Sequence, residues 1–221
     1  SFPTRRSSDL LQCYMAKRKV IMSVLNENWE PGFGAIYTWF AMDKHGKIAV
    51  MVNNCFGDLP INLLSIKNVE SLLDHLCEYM WEESQVFNHY PKNKNGNFEL
   101  DLYSAWRQRS DLDRNNIICV LQADLIKSGH YSEANLSANK GFFVYHGVEG
   151  SKEGEDYPVG FTGKTKMGDY FRYLVPTIYA SINDFPEELR HGIAVSDTVD
   201  FTIDRVLDND KINEYFPKMY R

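Results

Sequence analysis

The chain has 221 residues, 43% of them hydrophobic and 24% charged, with a formal charge of −6 at neutral pH. Such a composition can bury an ordinary core and excludes an intrinsically disordered chain. No run approaches the roughly 18 consecutive apolar residues of a membrane span, and no leader of basic, apolar and small residues marks export, so a cytoplasmic protein is expected.

The first ten residues, SFPTRRSSDL, have neither helical nor strand periodicity and read as the translation of a common sequencing adapter. Two starts follow, Met15 and Met22. The codons of Lys17-Arg18-Lys19 are purine-rich and stand where a bacterial ribosome-binding site would precede Met22. We therefore expect residues 1–21 to be adapter artefact and untranslated leader, and residues 22–221 to be a single domain. Arg5, Arg6, Lys17, Arg18 and Lys19 against Asp9 give the leader +4, so the chain total of −6 becomes −10 over residues 22–221. An acidic body disfavours nucleic acid and anionic membrane, which need clustered Lys and Arg. A basic partner suits it better.

GAIYTWFAM and KIAVMVN are β-rich runs joined by the turn DKHG, which predicts a hairpin. Ile36, Thr38, Phe40 and Met42 face one way and Tyr37 and Trp39 the other. Apolar groups on both faces imply either a strand covered on each side or a face, with Trp39, kept for a partner. CFGDLP should break the sheet, Gly57 through unusual dihedrals and Pro60 by removing a donor. In SIKNVESLLDHLCEYMWEES the spacing of Val69, Leu72, Leu73, Leu76 and Met80 predicts a helix capped by Ser65 or Asn68. LDLYSAWRQRSDLDR is expected to be helical, and NNIICVLQADLIKSG is read as a helix ended by Gly129, with a buried strand over IICVL as the alternative.

Strands are expected again at GFFVYH, DYFRYLV, PTIYASI and TVDFTIDRV, with one or two helical turns at DFPEELRHG, capped by Asp184 and carrying Pro186 near the first position. The fold class is therefore α+β, with a mixed or mainly antiparallel sheet and helices between an N-terminal hairpin and C-terminal strands.

No motif announces chemistry. GFTGKT (Gly160 to Thr165) lacks the first glycine of a phosphate loop, since Pro158 stands there, and reads as a polar loop between strands. His45, His75, His89, His130, His146 and His191 form no HxH, HExxH or HxxxH pair. His75 and Glu78 lie one helical turn apart without a second half of a di-metal site. Cys55, Cys77 and Cys119, with Cys13 in the leader, read as buried free thiols of a reducing compartment. No serine elbow is present. No cofactor, metal or catalytic residue is assigned.

Two acidic clusters stand out. VEGSKEGEDYP places Glu149, Glu153, Glu155 and Asp156 beside Tyr157, and TIDRVLDND adds Asp204, Asp208 and Asp210. With Trp39 they are the candidate partner-binding residues, since complementary charge speeds docking and an aromatic side chain anchors it.

YTWFAMDKHGKIAVMVNNCFGDLP, KGFFVYH, DYFRYLVP and DFPEELR together resemble a bacterial pattern of an aromatic strand, a D-x-x-G turn, an IA strand, a G-x-x-P exit, a VP strand and an LP-type turn. The pattern is similar to small immunity proteins that protect bacteria from polymorphic toxins. It implies a non-enzymatic protein that covers the active site of a basic toxin. The chain departs from the pattern at Phe142, Phe143 and His146, where an acidic residue is frequent, and in a longer loop over 147–168. Two further readings stay open: a small hydrolase or transferase whose site, around His146, Asp169 or Arg172, assembles only in three dimensions, and a component of a mobile element.

Overall fold

The computed structural model describes residues 25–149 and 156–221. The expectations for residues 1–21, the starts at Met15 and Met22, and Glu153 and Glu155 lie outside the described residues.

The predicted hairpin is present: β1 (Thr38–Met42) pairs antiparallel with β2 (Ile48–Val52), Phe40 opposite Val50. Asp43 makes the turn. Its carboxylate accepts the N–H groups of His45 at 2.9 Å and Lys47 at 2.8 Å, and Gly46 takes a φ of +79° that other residues resist. Beyond β2, Asn54 and Cys55 take the left-handed conformations expected of Gly57. Gly57 serves close packing instead, because a Cβ there would meet the Tyr170 ring at 2.5 Å.

After α1 (Ile61–Leu64), the predicted amphipathic helix is α2 (Val69–Met80), with Val69, Leu72, Leu73, Leu76 and Met80 all buried. Asn68 stands at its N-cap but makes no side-chain capping bond. The LDLYSAWRQRSDLDR segment is not helical. It follows β3 (Phe98–Leu100) and holds β4 (Tyr103–Ser104), and Asp101 and Leu102 donate their N–H groups to Tyr173 and Arg172. Pairing with an adjacent strand overrides local propensity here. NNIICVLQADLIKSG lies in the helix α3 (Arg114–Ser128), with Asp113 accepting from Asn115 N–H at 2.7 Å and Gly129 ending it at φ +56°. Cys119 is exposed there, correcting the expectation of a core thiol, whereas Cys55 and Cys77 are buried.

The short helix α4 (Glu133–Ala138) leads into β5 (Phe143–Gly147), followed by β6 (Pro158–Val159) and β7 (Tyr170–Pro176). PTIYASI forms no strand beyond Pro176. The Asp184 carboxylate accepts the Ser181 N–H in the capping box of the short 3-10 turn Ile182–Asp184, so it does not cap α5 (Glu187–Arg190), which starts after Pro186 without a side-chain cap. TVDFTIDRV is a turn rather than a strand. The Asp200 carbonyl accepts from Ile203 and Asp204, leaving only β9 (Val206–Leu207) to pair with β7. Five strands went unforeseen: β3, β4, β6, β8 (Ile193–Val195) and, after α6 (Ile212–Tyr215), β10 (Lys218–Met219).

The main sheet runs β10-β8-β1-β2-β5-β7-β3, with β9 added to β7. The pairs β1/β8 and β2/β5 are parallel and the remainder antiparallel, so the α+β class with a mixed sheet is correct. One face carries Phe40, Val50, Val144, His146, Phe171 and Tyr173. Phe185 links it to α2 through Tyr79, and Glu133 links it to α4. On the other face Trp39 meets Phe216, and Phe143 and Tyr145 meet Phe201, so the C-terminal turns cover it. Both faces of β1 are thus inside. Trp39 is fully buried and belongs to the core, not to a docking surface.

Candidate functional site

Three expected partner-binding residues, Asp156, Tyr157 and Asp208, meet around one open groove of roughly 770 Å³. Phe161, Gly163, Lys164, Thr165, Lys166, Asp169, Val206 and Tyr215 complete its walls. The GFTGKT loop, found between β6 and β7 as expected, forms its rim. No helix follows this loop, so it has no dipole with which to hold a phosphate.

Asp156 lies at the floor and is 1% exposed. Its carboxylate accepts the Ser104 hydroxyl, the Trp106 N–H at 3.0 Å and the Glu149 N–H at 3.1 Å. Burial pushes its carboxyl above the ordinary range, and these donors oppose the shift. Asp156 is therefore a tie between backbone segments rather than an exposed charge. Asp169 has the same character: burial raises its carboxyl, which accepts the N–H groups of Asn209 and Lys166 at 2.9 Å each.

Tyr157 is 52% exposed at the groove's edge. Phe161, Val206 and Tyr215 are partly buried and pack against the core, so part of the groove's lining is apolar and anchored. Lys166 bridges Asp208, at 2.9 Å, and Asp210. The bond to Asp210, then that to Asp208, holds the ammonium above its ordinary value, and the bond to Lys166 first of all lowers the Asp208 carboxyl. Asp208 and Asp210 match Lys164 and Lys166 at the surface, and the buried carboxylates of Asp156 and Asp169 behind them give the lining a negative formal balance.

Glu149 is half-buried at the neck of the loop, and Asp210 reaches the groove through Lys166. Asp204 is not part of the groove: its carboxylate accepts the Asp200 N–H at 2.7 Å and its carbonyl accepts the Tyr145 hydroxyl. Reasoning from the sequence missed Phe161, Lys164, Lys166, Val206 and Tyr215, which come from separate segments with no shared spacing.

The groups named for an enzyme do not meet. His146 pairs with Phe171 in register, so the next residue, Arg172, projects from the opposite face of β7. Arg107 donates to His146 Nδ1 at 2.8 Å, which leaves Nε2 to carry the hydrogen toward Glu133. Arg172 donates to Asp101 and to the Phe201 carbonyl, each at 2.7 Å. Of the three, Asp169 alone lines the groove. His75 Nδ1 and a Glu78 carboxylate oxygen stand 3.6 Å apart, and no group of three metal-ligating side chains occurs among the described residues. Among those residues, too, no helix is long and apolar enough to cross a membrane.

No protein-family model, curated protein or solved structure matches the chain. The reading of function therefore rests on the groove's own chemistry.

Proposed function

We propose that this chain is a non-enzymatic binding protein that docks a basic protein partner at the groove, in the manner of an immunity protein covering a toxin's active site. The observation that carries the reading is the half-exposed Tyr157 standing in a net-negative groove with apolar walls at Phe161, Val206 and Tyr215. An aromatic side chain beside carboxylates suits a lysine or arginine of a partner: the ring receives the aliphatic stem, and Asp208 and Asp210 attract the charged head. The buried ionisable groups support it as well. His146, Arg172, Asp101, Asp156 and Asp169 each make internal hydrogen bonds that tie neighbouring segments of the fold together.

The test is a pull-down with the tagged chain from bacterial extract, run in parallel with Tyr157→Ala and Asp208→Lys and read by mass spectrometry. A basic protein retained by the wild type and lost from both variants is expected. Equal recovery by all three, or turnover of a small molecule by the purified chain, overturns the proposal.

A further inference from the structure

His146 joins the turn behind the groove to the main sheet through a contact that a proton can break. The residue stands on β5 and is 2% exposed. Its Nδ1 lies 2.8 Å from the Arg107 guanidinium, and its Nε2 faces the Glu133 carboxylate. A guanidinium only donates, so Nδ1 offers a bare lone pair and the ring is the neutral tautomer with its hydrogen on Nε2. A second proton would have to enter at Nδ1, where Arg107 already sits. Arg107 and that proton therefore compete for one lone pair.

Among the described residues, the charged and titratable groups facing the ring are Glu133 on α4, Arg107 and, on β7, Tyr173, whose ring centroid lies 4.8 Å away. Glu133 favours the doubly protonated ring and Arg107 opposes it. Burial pushes the Tyr173 hydroxyl up, so it stays neutral, and Asp124 on α3 acts on the same hydroxyl.

The position of Arg107 gives the competition its consequence. The Arg107 N–H donates to the Ser104 hydroxyl at 3.0 Å, and that hydroxyl donates to the Asp156 carboxylate. The Trp106 N–H reaches Asp156 at 3.0 Å, and the Ala105 N–H reaches the Tyr157 carbonyl at 3.1 Å. Residues 104–107 are thus seated on two residues of the groove, and the Arg107 side chain fastens them to β5. Arg107 is exposed, so its guanidinium has solvent to move into. We propose that His146 and Arg107 form a proton-operated latch. With His146 neutral the turn is fastened to the sheet; a second proton expels Arg107 and loosens the turn that holds Asp156 and Tyr157. Imidazole suits the task because it is the side chain that ordinarily changes charge between roughly pH 5 and 8. The latch goes beyond docking and holds whatever the groove binds.

Nuclear magnetic resonance of the full chain, with labelled histidine rings and backbone, tests the latch from about pH 8 to about pH 5. At the alkaline end His146 should show a bare Nδ1 and a protonated Nε2. As the ring takes up its second proton, amide exchange at Ala105, Trp106 and Arg107, corrected for its intrinsic dependence on pH, should accelerate roughly tenfold or more. Asp156 titrates beside the same amides, and His146→Gln separates the two effects. A glutamine amide can accept from Arg107 and donate to Glu133 but takes up no proton, so in this variant the acceleration that follows the ring should vanish. If His146→Gln fails to fold, the wild-type ring and amides decide alone. A protonated Nδ1 at the alkaline end, wild-type amides that do not follow the ring, or a folded His146→Gln variant that opens like the wild type overturns the latch.

Discussion

Trp39 donates its indole N–H to the Tyr170 hydroxyl at 3.0 Å, although β1 and β7 are separated by two strands in the sheet. The hydroxyl in turn donates to the Asp58 carbonyl at 2.9 Å, and the ring lies so close over Gly57 that no Cβ fits beneath it. The residue that looked like a docking anchor is thus the keystone of the core. Gly57→Ala should destabilise the fold by about 1–3 kcal/mol through overpacking. Trp39→Phe should cost about 1 kcal/mol or more through the lost bond and lost volume. Denaturant midpoints check both, and a Gly57→Ala variant as stable as the wild type would remove the constraint.

Asp101 joins two guanidinium groups, accepting from Arg172 at 2.7 Å and from Arg205 at 2.6 Å. Arg172 is 8% exposed, and this carboxylate compensates its buried charge. Asp101→Ala should destabilise by about 3–5 kcal/mol, because it strands a buried cation. Added salt should restore little of that loss, in contrast with an exposed pair. Urea unfolding at low and high ionic strength measures it.

Acid should loosen the helix–sheet contact at Glu133. Burial raises this carboxyl, but His146 and Arg107 beside it outweigh burial and hold it below its ordinary 4.5. A carboxyl depressed in the folded state contributes fully above the unfolded value of 4.5 and loses that contribution as pH falls through the folded value. Stability of the wild type should therefore drop below pH 4.5, and Glu133→Gln should be weaker at neutral pH by about 1–3 kcal/mol with a shallower acid limb. Identical acid limbs for the two proteins would contradict this.

Lys166 neutralises part of the groove by holding Asp208 and Asp210. Lys166→Ala frees both carboxylates, and association with a basic partner should accelerate several-fold at low salt, converging with the wild type as salt rises. Stopped-flow or surface-based association rates read this directly. A slower rate would show that Lys166 itself contacts the partner.

Cys119 should react with a thiol reagent in the native protein at low concentration, while Cys55 and Cys77 react only on unfolding, in keeping with their burial. Peptide mapping of the labelled sites separates the three.

How far the sequence carried depended on whether the deciding interaction was local. The β1–β2 hairpin and α2 were legible because an Asp-started, Gly-ended turn and a helical apolar period are both complete within about 15 residues. The groove was half legible. Asp156, Tyr157 and Asp208 drew notice as charge beside an aromatic residue, yet sequence could not show that Asp156 is buried and spent on the N–H groups of Trp106 and Glu149. LDLYSAWRQRSDLDR misled because the partner that makes its start extended, β7, comes some seventy residues later. TVDFTIDRV alternated like a strand, but the Asp200 carboxylate satisfies the Thr202 N–H and hydroxyl locally and turns the chain instead.

From its sequence alone, this protein was determined to be an acidic α+β chain with an amphipathic α2, a defined hairpin and no reactive motif, since composition and short-range periodicity are properties of neighbouring residues. The tertiary structure alone decided that Trp39 is interior, that His146 and Arg172 point to opposite faces, and that Phe161, Lys166 and Tyr215 share a groove with Tyr157. Those relations depend on strand order and register, which form by contacts between distant segments and leave no regular spacing along the chain.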